Sequence, residues 1–330
     1  MTPPKHIAVI GAGIAGLSCA TSLQTAGFRV SVFEKSRGPA GRMSTRRGDD
    51  WQCDHGAQYF TARHPDFRNQ LASWRDAGAV ESWTPRICVF GGKATAPSQG
   101  AIERFVGVPR MTAPAHLLAA ALAVTANTPI SKLERLDSGW CLKSANGEKL
   151  DFSFNAVLMA LPAPQVIPLL PESAPQLSAL AQRARMRGCW ALMLRYDAPV
   201  DLPFDAAFVN DGPLRWIARD NSKPGRVRRE TWLLHANAEW SEAHLEEDGE
   251  SVATKLLEAF GQLGGPIPQK WSIHRWRFAD TEPVLNDVCA WDPGLGLGLC
   301  GDWLNGGKVE GAWLSGHALA KRVAQSIHTH

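Results

Sequence analysis

The sequence predicts an α/β fold, a Rossmann-like domain carrying an inserted mixed β-sheet plus helices as a second layer, on three observations. An apolar run at 7–10 ends in Gly11-Ala12-Gly13-Ile14-Ala15-Gly16 and passes into Leu17, Ala20, Leu23 and Ala26 at helical spacing, which reads as strand, tight turn and helix. A second apolar run, 156–161, is stopped by Pro162 and Pro164, as in a parallel strand buried on both faces. The carboxy-terminal end returns to the first pattern, with a glycine-rich strand at 295–300, a turn at Gly301-Asp302-Trp303 and a helix over 309–327.

The remaining elements follow in order. A strand at 30–33 ends in Glu34, which puts an acid about 20 residues beyond the glycines and completes a βαβ-type half-unit. An arginine- and glycine-rich loop spans 37–48 and leads into Asp54-His55-Gly56-Ala57-Gln58-Tyr59-Phe60. The pattern then predicts a helix over 65–78, strands at 87–90 and 101–106, and a helix over 113–124. Asn146-Gly147 marks a hairpin between strands at 140–143 and 149–154. From about 165 to 285 the chain changes to polar, tryptophan-containing strands at 191–196, 215–218, 231–236 and 272–278. The expected division is one discontinuous domain of 1–63, 100–165 and 286–330 and a substrate domain of 64–99 and 166–285.

Composition excludes several classes. With 45% hydrophobic and 20% charged residues in 330, the chain has the usage of a packed globular protein. A net charge of +3 without basic runs argues against a nucleic-acid partner. No export signal and no uninterrupted apolar stretch of roughly 18 residues is visible, so a cytoplasmic protein without membrane partners is expected. The seven cysteines have no metal-ligand or redox spacing and read as reduced thiols, with no metal expected.

The glycine turn carries the first chemistry. Gly11 permits the turn, Gly13 lets the backbone approach a pyrophosphate, and Gly16 allows close helix packing, while the helix amino terminus offers free amides to phosphate. Glu34 suits ribose hydroxyls and disfavours a 2′-phosphate, which leaves FAD or NAD. The loop from Glu34 and Lys35 to Gly41-Arg42 resembles the Gly-Gly-Arg loop of glutathione-reductase-like FAD families, with Ala40 where the first glycine stands. That resemblance implies that Arg42 touches the pyrophosphate; Gly301-Asp302 followed by Gly311-Ala312 and Ser315-Gly316 also resembles these flavoproteins, which implies that Asp302 holds the ribityl chain and that the helix near Val309 and Glu310 points at the flavin. It also implies a p-hydroxybenzoate hydroxylase-like topology. Ala12, Ile14, Ala15, His55, Gly56, Ala57 and Ile130 complete the expected cofactor contacts.

The segment 54–60 together with Gly301-Asp302-Trp303 and the stretch 309–316 closely resembles bacterial renalase-like proteins at both ends of the chain, about half of the sequence. The resemblance implies oxidation of aberrant dihydronicotinamide isomers, chiefly the 2-dihydro form, to NAD(P)+, with O2 reoxidising a noncovalent FAD to give H2O2. Hydride loss from a dihydropyridine needs positioning and no general base, so no protein residue is expected to be catalytic. Gln58, Tyr59, Phe60, Thr61, Ala62 and Arg63 follow the flavin-facing turn and are expected to line the substrate face, with Trp303 flanking the ring. Arg187, with Arg183 and Arg185, or alternatively Arg226, Arg228 and Arg229, would meet the substrate pyrophosphate or form solvated faces. His235 and His274 read as hydrogen-bonded core histidines. Three other readings stay open: an FAD-dependent amine oxidase, against which the two tyrosines count; a non-catalytic flavin-binding sensor or scaffold; and a two-nucleotide reductase, for which a second glycine fingerprint is lacking.

Overall fold

A computed structural model describes residues 4–92, 102–148, 150 and 153–328. Its first sheet has the strand order Ala290–Asp292, Leu297–Leu299, Ala156–Met159, His6–Ile10, Arg29–Phe33, Ala123–Thr125, parallel throughout except for the first pair. Strand alternation explains why the apolar runs are continuous. Ile7, Val9, Ala156 and Leu158 face a helix layer that includes Leu17, Leu23, Leu319 and Val323. Ala8, Ile10, Val157 and Met159 face the opposite layer, built around Trp140, Val166, Leu177 and Trp303.

Helices Ile14–Thr25 and Lys308–His328 cover one face of this sheet and pack closely on each other. A β-carbon on Gly316 would collide with the carbonyl oxygen of Ala15. Nearby, the Ser18 hydroxyl donates to the carbonyl of Trp313 at 2.9 Å. The first and last long helices are thereby locked together, which is how the two ends of the chain come to share one site.

The second sheet runs Lys270–Thr281, Met186–Tyr196, Glu230–Ala236, Leu214–Arg219, Ala206–Val209, all antiparallel, with Ile87–Phe90 added in parallel at the edge. Along Glu230–Ala236, Trp232, Leu234 and Ala236 pack with Val252, Leu256 and Phe260 of helix Gly249–Gln262. The alternate residues Leu233 and His235 face the other way, toward the first sheet. One face is therefore a core, and the other is free to be a wall.

Several expectations are corrected. The helix at 113–124 ends at Ala119, and Ala123–Thr125 is the edge strand of the first sheet, because Val124 and Thr125 find backbone partners in Val32 and Phe33. The hairpin strand Gly139–Ser144 pairs first with Ile130–Leu136, which the turn signal did not reveal. Residues 149, 151 and 152 of the expected strand 149–154 lie outside the described residues, as do residue 101 of the strand expected at 101–106 and the expected domain boundary at 99–100. What is described of 101–106 becomes a strand only at Phe105–Gly107. Helix Pro65–Asp76, expected with the substrate sheet, buries Phe67, Leu71 and Trp74, and Phe67 meets Trp313 of the last helix at 5.7 Å. Among the described residues, no helix is long and apolar enough to cross a membrane.

The helix contact gives a direct stability test. Gly316→Ala must push the two helices apart and should destabilise by about 1–3 kcal/mol. Gly261→Ala lies in helix Gly249–Gln262, where a β-carbon meets nothing within 4 Å, and should stabilise by about 0.5–1 kcal/mol. Urea denaturation midpoints of the two variants read this opposite pair of signs.

Candidate active site

A cavity of about 1290 Å³ runs from the carboxyl ends of the first-sheet strands to the inner face of the second sheet. Such a crevice, beside the point where strand order reverses between His6–Ile10 and Ala156–Met159, is where open α/β sheets bind their ligands. At its first end lies the glycine turn. Gly13 caps helix Ile14–Thr25 in extended conformation, no side chain satisfies the helix amides, and a β-carbon at Gly13 would meet nothing within 4 Å. Gly16 is different: a β-carbon there would overlap the carbonyl oxygen of Gly11, so its role is packing. Glu34 accepts from the Ala12 amide with one carboxylate oxygen and from the Ser36 amide with the other, both at 2.8 Å, and its side chain lines the cavity.

Farther along, the Arg42 guanidinium grips the Asp302 carboxylate through both of its terminal nitrogens, one bond measuring 3.0 Å, and also donates to the carbonyl of Ala279 at 3.2 Å. This pair joins the arginine loop to the start of the carboxy-terminal segment. Ala40 adopts φ 109°, left-handed backbone that explains why glycine would suit the position. Its amide donates to the Ala12 carbonyl at 2.9 Å, which holds the arginine loop against the glycine turn.

The turn at 54–58 lies between the two sheets and is fixed by buried charge. Asp54, Asp220, Lys223 and Arg226 have essentially no exposed side chain. Lys223 Nζ donates to Asp54 at 3.1 Å, to Asp220 at 2.8 Å and to Gln58 Oε1 at 3.2 Å, and Arg226 donates to Asp54 at 2.6 Å. Burial alone would raise the Asp54 carboxyl, but the charges of Lys223 and Arg226 outweigh it and hold Asp54 below the ordinary carboxylate range. Asp220 moves up, because burial and the neighbouring Asp54 charge exceed the attraction of the two cations. Above this set, the His55 carbonyl accepts from His235 Nε2 at 3.0 Å and Trp276 Nε1 at 2.9 Å. The His55 ring stacks on Trp276 at 5.1 Å and meets His274 edge-on at 4.9 Å, and its Nδ1 is buried without a hydrogen-bond partner. Burial, with the charges of His274, Arg46 and His235 adding to it, pushes His55 down to about 3; burial pushes His235 down to about 4. These imidazoles are neutral at physiological pH.

Comparison with known proteins identifies this architecture. The family described as NAD(P)-binding Rossmann-like domain matches residues 9–74, and the family described as flavin containing amine oxidoreductase matches residues 89–324, well over half of the chain. The chain belongs to the flavin containing amine oxidoreductases. An L-amino acid oxidase of Crotalus durissus cumanensis is 43% identical over 68 residues, which are 21% of this chain and only 14% of that enzyme. In three dimensions the fold is similar to that of a provisionally assigned protoporphyrinogen oxidase from Exiguobacterium sp. 255-15, with TM-score 0.77 and 13% identity over 98% of this chain and all of that one. Cyclohexylamine oxidase from Brevibacterium oxydans IH-35A superposes with TM-score 0.73 and 14% identity over 99% of this chain and 100% of its own.

FAD is the cofactor of this family, and the residues of the cavity fit it. An open cradle at Gly13, uncapped helix amides, an acid at the end of the second strand and an orphaned imidazole nitrogen at His55 are features that a dinucleotide ligand would complete. Most residues expected from the sequence to contact a flavin or substrate do line the cavity: Gly11, Gly13, Ile14, Ala15, Glu34, Lys35, Gly41, Arg42, 55–61, Arg63, Ile130, Asp302 and Val309.

Others do not. Ala12 and Gly16 are packed behind the turn, and Ala62 is buried among the core residues. Glu310 turns away to accept the amides of Arg63 and His64 at 2.7 and 2.6 Å. Trp303 is fully buried and donates through Nε1 to the Leu161 carbonyl at 3.0 Å, so it belongs to the core of the first domain and flanks no ring. Arg187 is held by Glu239, Glu242 and Glu282; Arg183 pairs with Asp287, Arg185 with Glu242, and Arg229 with Asp50 and Asp197, so none of these faces the cavity. Arg226 belongs to the buried ion set, and Arg228 is exposed away from the cavity. Gln58 lines the cavity, yet its amide nitrogen donates to the Asp54 and Gly56 carbonyls of its own turn and its oxygen accepts from Lys223. His235 and His274, expected as core residues, are wall residues. Sequence reasoning missed Phe208, Arg215, Trp216, Trp276 and Lys308; period-2 alternation of the second-sheet strands signals the side taken by Phe208, Trp216 and Trp276, whereas Arg215 breaks that alternation at the register shift between Leu214 and Trp216.

Two tests follow from this geometry. Gly13→Val finds free space within the protein, so it should fold with near-normal stability in the absence of FAD yet fail to retain the flavin, read as loss of the visible absorbance of the purified protein. Protonation supplies the second test: His55 and His235 bind protons more weakly in the fold than their ordinary value of 6.5, so the unfolded chain takes up protons first as pH falls. Their contribution to stability is complete above about pH 6.5 and is lost from there toward about 4 for His235 and about 3 for His55, by roughly 1.4 kcal/mol per pH unit for each. Urea midpoints measured between pH 7.5 and 5 should fall steeply, and less steeply in His55→Phe.

Proposed function

We propose that this flavin oxidase removes hydride from the dihydropyridine ring of reduced nicotinamide dinucleotides, chiefly the 2-dihydro isomers, with O2 as the final acceptor and H2O2 as product. Bound FAD supplies the two-electron acceptor. The adenosine end would lie at the glycine turn, with Glu34 on the ribose, Ile130 against the adenine side and Arg42 near the pyrophosphate. The redox end would lie among 55–57, Asp302 and Val309.

One observation carries the choice of substrate. Three carboxylates line the cavity among the described residues, and each is already engaged: Asp302 by Arg42, Asp280 by Arg215 at 2.9 Å, and Glu34 by two backbone amides. An ammonium group would find no free anion to replace its water. The wall offers neutral imidazoles of His55, His235 and His274 beside Tyr59, Phe208, Trp216 and Trp276. Flat apolar faces with uncharged donors and acceptors match a planar ring bearing a carboxamide. Histidines held near 3 and 4 are poor bases, which suits a donor that gives up hydride without losing a proton.

The second reading is oxidation of an amine. Membership of the flavin containing amine oxidoreductases favours it, as does the aromatic pair Tyr59 and Trp216, 5.6 Å apart on the cavity wall. Anaerobic stopped-flow mixing separates the two. Rapid bleaching of the flavin absorbance by 2-dihydroNAD, with none by cyclohexylamine, putrescine or L-amino acids, is the expected result; the reverse pattern would overturn the dihydronicotinamide reading in favour of the amine.

A further inference from the structure

Seven cationic side chains line the cavity among the described residues, and five are engaged. Arg42 holds Asp302 at 3.0 Å, Arg215 holds Asp280 at 2.9 Å, Arg275 and Arg277 both hold Glu246, at 3.2 and 3.0 Å, and Lys35 donates to Gln165 at 3.2 Å. Arg63 and Lys308 have no side-chain partner among the described residues, and both are exposed at the cavity.

These two are built into one rim. Glu310, in the first turn of the last helix, accepts the backbone amides of Arg63 and His64 at 2.7 and 2.6 Å, so the segment carrying Arg63 is pinned to the helix end that carries Lys308. Glu310 is also the anion nearest in sequence to Lys308; its Oε1 accepts both amides, and among the described residues neither Arg63 nor Lys308 forms a salt bridge. Lys308 adopts φ 66° directly after Gly306 and Gly307 at 74° and 65°, a left-handed conformation that side-chain-bearing residues rarely take. Strained backbone of this kind clusters at ligand sites.

The rim is also separate from the glycine turn. Gly316 rests on Ala15 next to that turn, and Lys308 lies eight residues before Gly316, roughly 12 Å along the helix. The backbone of Lys308 is therefore about two helical turns removed from the contact beside the glycine turn.

We propose that Arg63 and Lys308 form a subsite for the phosphate-bearing part of the substrate, holding a dinucleotide with its dihydropyridine inward and its pyrophosphate at the rim. The proposal rests on the dihydronicotinamide reading, and it adds a specificity determinant that the ring-binding wall lacks. Arg can meet a pyrophosphate through two parallel donors and Lys as a compact point charge.

The test compares 2-dihydroNAD with the phosphate-free 2-dihydronicotinamide riboside as substrates of the wild type, Arg63→Gln, Lys308→Gln and the double variant. Flavin content and thermal midpoint serve as folding controls. The wild type should prefer the dinucleotide in kcat/KM, and each single variant should lower the dinucleotide-to-riboside ratio by about tenfold. Raising salt from about 0.05 to about 0.5 M should erode the wild-type preference and leave the double variant nearly indifferent. Binding of ADP-ribose, followed by perturbation of the flavin spectrum, should weaken by about the same factor per substitution, without any turnover. A ratio and an ADP-ribose affinity that stay at wild-type values in the double variant would overturn the subsite while riboside oxidation still upheld the reading of the ring. Failure of the wild type to oxidise either compound would overturn that reading and the subsite with it.

Discussion

Four buried charges hold this site together. Asp54 comes from the amino-terminal segment and Asp220, Lys223 and Arg226 from the connection between strands Leu214–Arg219 and Glu230–Ala236, and their mutual attraction ties the turn at 54–58 to the second sheet. Two positive and two negative groups leave the cluster neutral, which is what makes its burial tolerable. Such a set contributes little net stability against an apolar packing of the same volume, but losing any one member would strand a charge at a cost of about 3–5 kcal/mol. Its effect is on position. Gln58 is locked by Lys223, the His55 carbonyl is locked by His235 and Trp276, and the intervening Gly56 and Ala57 face the cavity as a fixed backbone edge.

The rest of the cavity is organised around that edge. One side offers uncapped helix amides beside the Glu34 carboxylate, and the other is a wall whose imidazoles are kept neutral by burial. Between them, Arg42 and Asp302 neutralise each other across segments 260 residues apart. Pairing of this kind recurs on the wall, where Arg215 meets Asp280 and Arg275 and Arg277 meet Glu246, so that among the described lining residues only Arg63 and Lys308 keep an unengaged cationic side chain. The proposed hydride transfer asks of such a cavity chiefly that it position a ring, and aromatic faces beside neutral imidazoles are suited to positioning.

The amino-terminal half-unit was legible because its signals are local. A glycine turn between a strand and a helix, followed by an acid one strand later, is fixed by backbone sterics and by the reach of a single βαβ unit, and the structure places those residues at the cavity. Helix boundaries were less legible. Ala123–Thr125 continues an alanine-rich helical pattern, and only the neighbouring strand at Arg29–Phe33 offers the backbone partners that draw it into the sheet. Trp303 shows the same limit at the site: a tryptophan after Gly-Asp fits either a flavin flank or a core, and burial against Leu161 selects the core.

By itself, the sequence determined the α/β class, the cofactor-binding turn and the kinds of residue available near it, since each rests on interactions within a few tens of residues. Tertiary structure alone decided which charges are spent and which are free. Arg187 and Arg226 look no different from Arg63 along the chain, yet the first is consumed by carboxylates that include Glu239, 52 positions away, and the second by a set that includes Asp54, 172 positions away, whereas Arg63 is left without one among the described residues. Electrostatic pairing depends on distance in space, and the chain must close before those distances exist.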